Sequence, residues 1–125
     1  MDKVMVITGG GRGIGAATAL LAAGQGYRIC INYQSDEQAA QSVLEQVRAL
    51  GAQAIAVRAD VSIEDEVIAL FQRVDTELGR VTALVNNAGT VGHKSRVDEM
   101  SEFRILKIMK TNVLAPILCA KHAIL

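Results

Sequence analysis

Val4-Met5-Val6-Ile7-Thr8-Gly9-Gly10-Gly11-Arg12-Gly13-Ile14-Gly15 is the stretch that decides how this chain folds. An apolar strand runs into a glycine-rich turn, and a helix of small residues, Ala16 to Ala23, follows at once. That order lets a backbone approach a pyrophosphate closely. Glycine tolerates positive φ and carries no Cβ, while a helix N-terminus offers unpaired N–H groups to negative charge. The spacing is Gly-x-x-x-Gly-x-Gly over Gly9, Gly13 and Gly15, preceded by Thr8. In its strand-to-helix context it predicts a nucleotide site.

Beyond the turn, the chain alternates strand and helix. Tyr27 to Asn32 reads as a second strand. Residues 37 to 50 carry a helical stripe at Ala40, Val43, Leu44, Val47 and Leu50, ended by Gly51. Gln53 to Val57 gives a third strand, closing at Asp60-Val61. Ser62 is the expected N-cap of the next helix, with Asp65 completing a near capping box. Val67, Leu70, Phe71, Val74 and Leu78 line its buried face, Gly79 stops it, and Val81 to Val85 forms a fourth strand. A long helix is expected from Ser101 to the end, disturbed at Pro116.

Strands separated by helices predict an α/β domain over residues 1–125, a Rossmann-type parallel sheet covered on both faces. Right-handed crossovers and a nucleotide turn after the first strand give the order 3-2-1-4. Strand four, with Leu84 and Val85, then stands at an unusually apolar open edge, from which self-association is expected.

The chain has 125 residues, half of them hydrophobic, with two Phe, two Tyr and no Trp, so its core is mainly aliphatic. Thirteen basic residues balance thirteen acidic ones, which removes the electrostatic case for nucleic acid or an anionic membrane. No signal peptide is read at the start, and no apolar run approaches the ~20 residues of a membrane span. Cys30 and Cys119 sit in apolar patterns and are read as buried thiols, in keeping with a cytoplasmic location. His93 and His122 share no ligand spacing with each other or with the cysteines, so no metal is expected.

Thr8-Gly9-x-x-x-Gly13-Ile14-Gly15, Asp60-Val61, Asn86-Asn87-Ala88-Gly89 and Thr111-Asn112-Val113, in that order, resemble the short-chain dehydrogenase/reductase family. The likeness spans the whole chain but only about the first half of that family's usual domain, and leans towards its bacterial ketoacyl-carrier-protein reductases and sugar dehydrogenases. The resemblance implies that Gly9, Gly13 and Gly15, with the backbone of Arg12 and Ile14, line the pyrophosphate and its ribose. It implies that Asp60 and Val61 hold the adenine, and that Asn87, Ala88 and Gly89 pass beside a ribose while Asn86 braces the central strands. Asn112 matches the asparagine of the catalytic tetrad, whose carbonyl at a helix kink positions a water in a proton relay. Taken singly, Asp60 could end a strand, Asn86 and Asn87 could be turn residues, Asn112 a helix-distorting polar residue, and Arg12 an exposed loop cation.

Cofactor preference follows charge at the end of the second strand, where NAD-using relatives place an acid for the ribose 2′-hydroxyl. Here Asn32-Tyr33 occupy that position, Tyr33 is assigned to the cofactor, and Asp36 and Glu37 fall at the start of the next helix. Arg12 is a cation placed to meet a 2′-phosphate, with Ser35 as an added hydroxyl, so NADP is expected over NAD.

The family moves hydride between nicotinamide and a small carbonyl or alcohol substrate. A tyrosine handles the hydroxyl proton, and a lysine four residues on lowers its pKa from ~10. Tyr27 and Tyr33 are followed at that distance by Ile31 and Glu37, so neither makes the pair. The resemblance places that pair, a serine and the substrate loop beyond Leu125. The chain therefore reads as the cofactor part of a truncated reductase, inactive by itself. The alternatives are a non-catalytic nucleotide-binding or interaction module, and an enzyme half completed by another chain. His93, Lys94 and Arg96 read as a solvated basic loop.

Overall fold

The computed structural model describes residues 2–89 and 96–125. Four strands, β1 (Val4–Ile7), β2 (Arg28–Tyr33), β3 (Ala54–Arg58) and β4 (Ala83–Val85), form one parallel sheet in the order β3-β2-β1-β4. Helices α1 (Gly13–Gly24), α2 (Glu37–Ala49) and α3 (Glu64–Glu77) make the crossovers. After β4 come a 3-10 turn (Val97–Glu99), α4 (Glu102–Met109), a π-helical turn (Lys110–Leu114) and α5 (Ala115–Ile124).

Side chains alternate along each strand, so one sheet serves two cores. Ile7, Ile29 and Ile31 face α1 and α2, meeting Ala19, Ala22, Val43 and Val47. Val4, Val6 and Cys30 face the other way, onto Leu70, Phe71 and Val74 of α3 and Cys119 of α5. The alanines of α1 let that helix lie close to the sheet, which brings its N-terminus up to the end of β1. Both cysteines are free thiols, and burial pushes Cys30 up to about 12 and Cys119 to about 11. Each stays protonated and packs as a small apolar group.

Two local expectations are corrected. Ser62 does not cap α3. The Asp60 carboxylate takes both its N–H (3.0 Å) and its hydroxyl (2.6 Å), while Glu66 accepts from the Asp60 N–H at 2.9 Å. The helix starts after Ile63 with no side-chain cap, its first turn instead carrying Glu64, Asp65 and Glu66. The long C-terminal helix is disturbed before Pro116 rather than at it. Proline has no N–H for the carbonyl four residues back, and its ring crowds that carbonyl, so the strain falls on the preceding turn. That turn widens over Lys110–Leu114, and Pro116 sits comfortably in the first turn of α5.

Among the described residues, strand β4 pairs only with β1 and stands at the sheet edge as expected, its three residues half-buried. The last turn of α5 is tied to the first residue of α3. Lys121 Nζ and His122 Nε2 each lie 2.8 Å from Glu64 Oε2, and these two bonds hold the Glu64 carboxyl below its usual value. A depressed folded-state value means that this contribution is complete above the ordinary pKa of 4.5 and is lost as pH falls through the folded one. Denaturation midpoints between neutral and acid pH are therefore expected to fall more steeply in the wild type than in Glu64→Gln. Parallel curves would mean that the bonds from Lys121 and His122 to Glu64 contribute nothing to stability.

Candidate cofactor-binding site

A cavity of about 720 Å³ opens where the four strands end, lined by the loop after each of them and by α4. Clefts at the carboxyl ends of parallel strands are where open α/β sheets bind ligands, and this volume falls within the range of ligand pockets, about 300–1,000 Å³.

Its back is a set of buried hydrogen bonds. Thr8 is 1% exposed, and its Oγ1 accepts from the N–H groups of Asn87 and Ala88, both at 3.0 Å. Asn87 Nδ2 donates to the Gly9 carbonyl at 2.9 Å, so the glycine turn and the loop after β4 are fixed to each other. Gly9 has φ +61°, and a Cβ there would lie 3.0 Å from Ala88 Cα. At Gly15 a Cβ would meet Asn87 Nδ2 at 2.6 Å and the Gly9 carbonyl at 2.7 Å, which only a glycine avoids.

Asn32 completes this frame from β2. It is 2% exposed; its Oδ1 accepts from the Gly9 N–H at 3.3 Å, and its Nδ2 donates to the carbonyls of Val57 (3.3 Å) and Ala59 (3.1 Å). Sequence reasoning passed over this role, although an asparagine inside an apolar strand run is itself a signal, since a buried amide needs partners.

Of the residues singled out from sequence, Gly9, Arg12, Tyr33, Asp60, Val61, Asn87, Ala88 and Gly89 all line the one cavity. Thr8 and Gly15 lie buried behind it, and Gly13 and Ile14 open α1, with the Ile14 side chain exposed. Asn112, in the π turn, stands beside Gly89 at the cavity, where a Cβ on Gly89 would be 3.4 Å from its Oδ1. Asn86 does not brace the central strands. It reaches α5, donating to the Pro116 carbonyl at 3.3 Å, and Thr8 and Asn87 do the bracing. His93 and Lys94 lie outside the described residues, while Arg96 pairs with Asp98 at 3.2 Å. No group of metal ligands is present among the described residues.

The electrostatics favour an anion at the glycine turn. α1 has neither a side-chain cap nor an acid in its first turn, whereas α2, α3 and α4 carry acids there. The N-terminal field of α1 is thus left for a ligand. Arg12 lines the cavity with Tyr33, Ser35 and Asp36, and its guanidinium is 3.7 Å from the Asp36 carboxylate. Asp36 also caps α2, accepting from the Ala39 N–H at 3.0 Å.

A family model described as short chain dehydrogenase matches residues 3–125. The chain is 40% identical over 121 residues to YgfF, an uncharacterised oxidoreductase of Escherichia coli, covering 97% of this chain and 49% of that one. It is 33% identical over 123 residues to the 3-oxoacyl-acyl-carrier-protein reductase FabG of Staphylococcus aureus, covering 98% of this chain and 50% of that one. A double phenylalanine-to-leucine mutant of a short-chain dehydrogenase/reductase from Serratia marcescens superposes with a TM-score of 0.93 at 25% identity, covering 98% of this chain and 49% of that one. The chain spans about half the length of these relatives.

Replacing Asn32 with alanine would strand the Gly9 N–H and two carbonyls away from water. Urea denaturation should show a loss of about 2 kcal/mol. A change within a few tenths of a kcal/mol would mean that Asn32 is not the brace.

Proposed function

The chain belongs to the short-chain dehydrogenase family, and we propose that it is the NADP(H)-holding part of a cytoplasmic reductase acting on a small carbonyl or alcohol substrate. The observation that carries this reading is the uncapped N-terminus of α1 at a cavity that also holds Arg12 and Asp60. The bound nicotinamide would supply or take up the hydride.

Each wall has a part in holding the dinucleotide. The N–H groups of Gly13, Ile14 and Gly15, with the Gly9 turn, bind the pyrophosphate. Asp60 accepts from the adenine amine while Val61 gives the ring an apolar neighbour, and Asn87 to Gly89 pass beside a ribose. Tyr33 and Arg12 sit at the 2′ position. The Arg12–Asp36 pair is exposed and therefore weak, so a doubly charged phosphate can take the guanidinium from the carboxylate. Asn112 holds water for the proton relay at the reacting end. No Tyr-x-x-x-Lys occurs in these 125 residues, so the group that handles the substrate proton is supplied from outside them. The half-buried β4 edge, with the exposed Ile117 and Ile124 of α5 and Leu125 after it, is the surface through which the isolated chain associates.

In fluorescence titrations, Arg12→Ala is expected to weaken NADPH on the order of tenfold more than NADH; equal losses would overturn the NADP assignment. The pure 125-residue chain should oxidise no NADPH above background with any carbonyl. Turnover that disappears in Asn112→Ala would show that the catalytic set is complete here.

A further inference from the structure

The α4 wall of the cavity was not marked by any sequence motif. Phe103, Leu106, Lys107 and Lys110 all line it, at i, i+3, i+4 and i+7 positions that share one helix face. This face is turned to the cavity rather than into protein: Phe103 is 77% and Leu106 48% exposed, and both lysines are exposed. The wall offers apolar surface together with two cations.

The charges around the cavity are unevenly committed. Asp36 is engaged by Arg12 and by the α2 N-terminus, and Asp60 by Ser62. The side chains of Lys107 and Lys110 make no hydrogen bond or ion pair with any described residue. They line the same cavity as Arg12 and the glycine turn, so their field adds to that of the α1 N-terminus. The lining carries three cations, Arg12, Lys107 and Lys110, against the carboxylates of Asp36 and Asp60, and this positive excess concentrates an anionic ligand before any contact forms.

We propose that Lys107 and Lys110 are a second anion-recognition element of this cavity, acting on the dinucleotide's phosphates through their common field rather than on the 2′-phosphate alone. This rests on the dinucleotide reading above. Arg12 distinguishes NADP from NAD, and the α4 lysines raise the affinity for both. Neither lysine packs in the core, so neutralising them leaves the fold in place.

The test is titration of NADPH and NADH against the 125-residue chain and its Lys107→Gln/Lys110→Gln variant, each at low and at physiological ionic strength. Both dinucleotides should bind about fivefold more weakly to the variant at low salt. The wild type's loss of affinity with added salt should flatten, and Lys107→Arg/Lys110→Arg should restore it. Unchanged affinity and salt dependence would overturn the proposal, and so would a loss confined to NADPH, which would put the lysines on the 2′-phosphate. A wild type that binds neither dinucleotide would overturn the site reading itself, whereas tight, salt-insensitive binding would overturn only the role of the lysines.

Discussion

Where parallel strands stop side by side, their last N–H and C=O groups lose their ladder partners while still shielded from water, and each must be satisfied. Thr8, Asn32 and Asn87 meet that demand here, and the rest of the site depends on how they do it. One hydroxyl takes two N–H groups from the loop after β4, and one carboxamide spans β1, β2 and β3. No buried side-chain polar atom among the described residues lacks a partner. The loops around the cavity are therefore set by bonds inside the protein, before any ligand arrives.

This frame explains why the glycines stand where they do. Once Asn87 is tied to the Gly9 carbonyl, the first turn of α1 runs against that bond, and Gly15 must present no side chain to it. The alanine face of α1 serves the same end by seating the helix low on the sheet. Small residues thus do two jobs, packing the core and aiming the open end of a helix dipole into the cavity.

Much of this was legible in the sequence. Strand and helix periodicity, with turn signals at Gly51 and Gly79, located the elements through β4, and the crossover rule fixed their order. Most residues expected to hold a cofactor converge on one cavity because the motifs lie just after strand ends. What escaped depends on choices that local pattern does not settle. Ser62 had the right spacing to cap α3, but the nearer Asp60 carboxylate claimed its hydroxyl. Asn86 and Asn87 are adjacent and chemically identical, and only the course of the backbone sends one to Pro116 and the other to Gly9. The α4 wall carries no motif, since a mixed apolar and basic helix face looks like an ordinary surface until its neighbours are placed.

The π turn before Pro116 sets the phase between two helices that would otherwise be one. A single extra residue accommodated in a helix offsets all that follows by about 100°. α5 can therefore put Ala115 and Cys119 into the core while α4 keeps Phe103, Leu106 and Lys107 on the cavity, with Lys110 following at the start of the turn. A straight helix would have to trade one alignment against the other. The widened turn separates the two, so substitutions can reshape the cavity wall without disturbing the packing that holds the sheet.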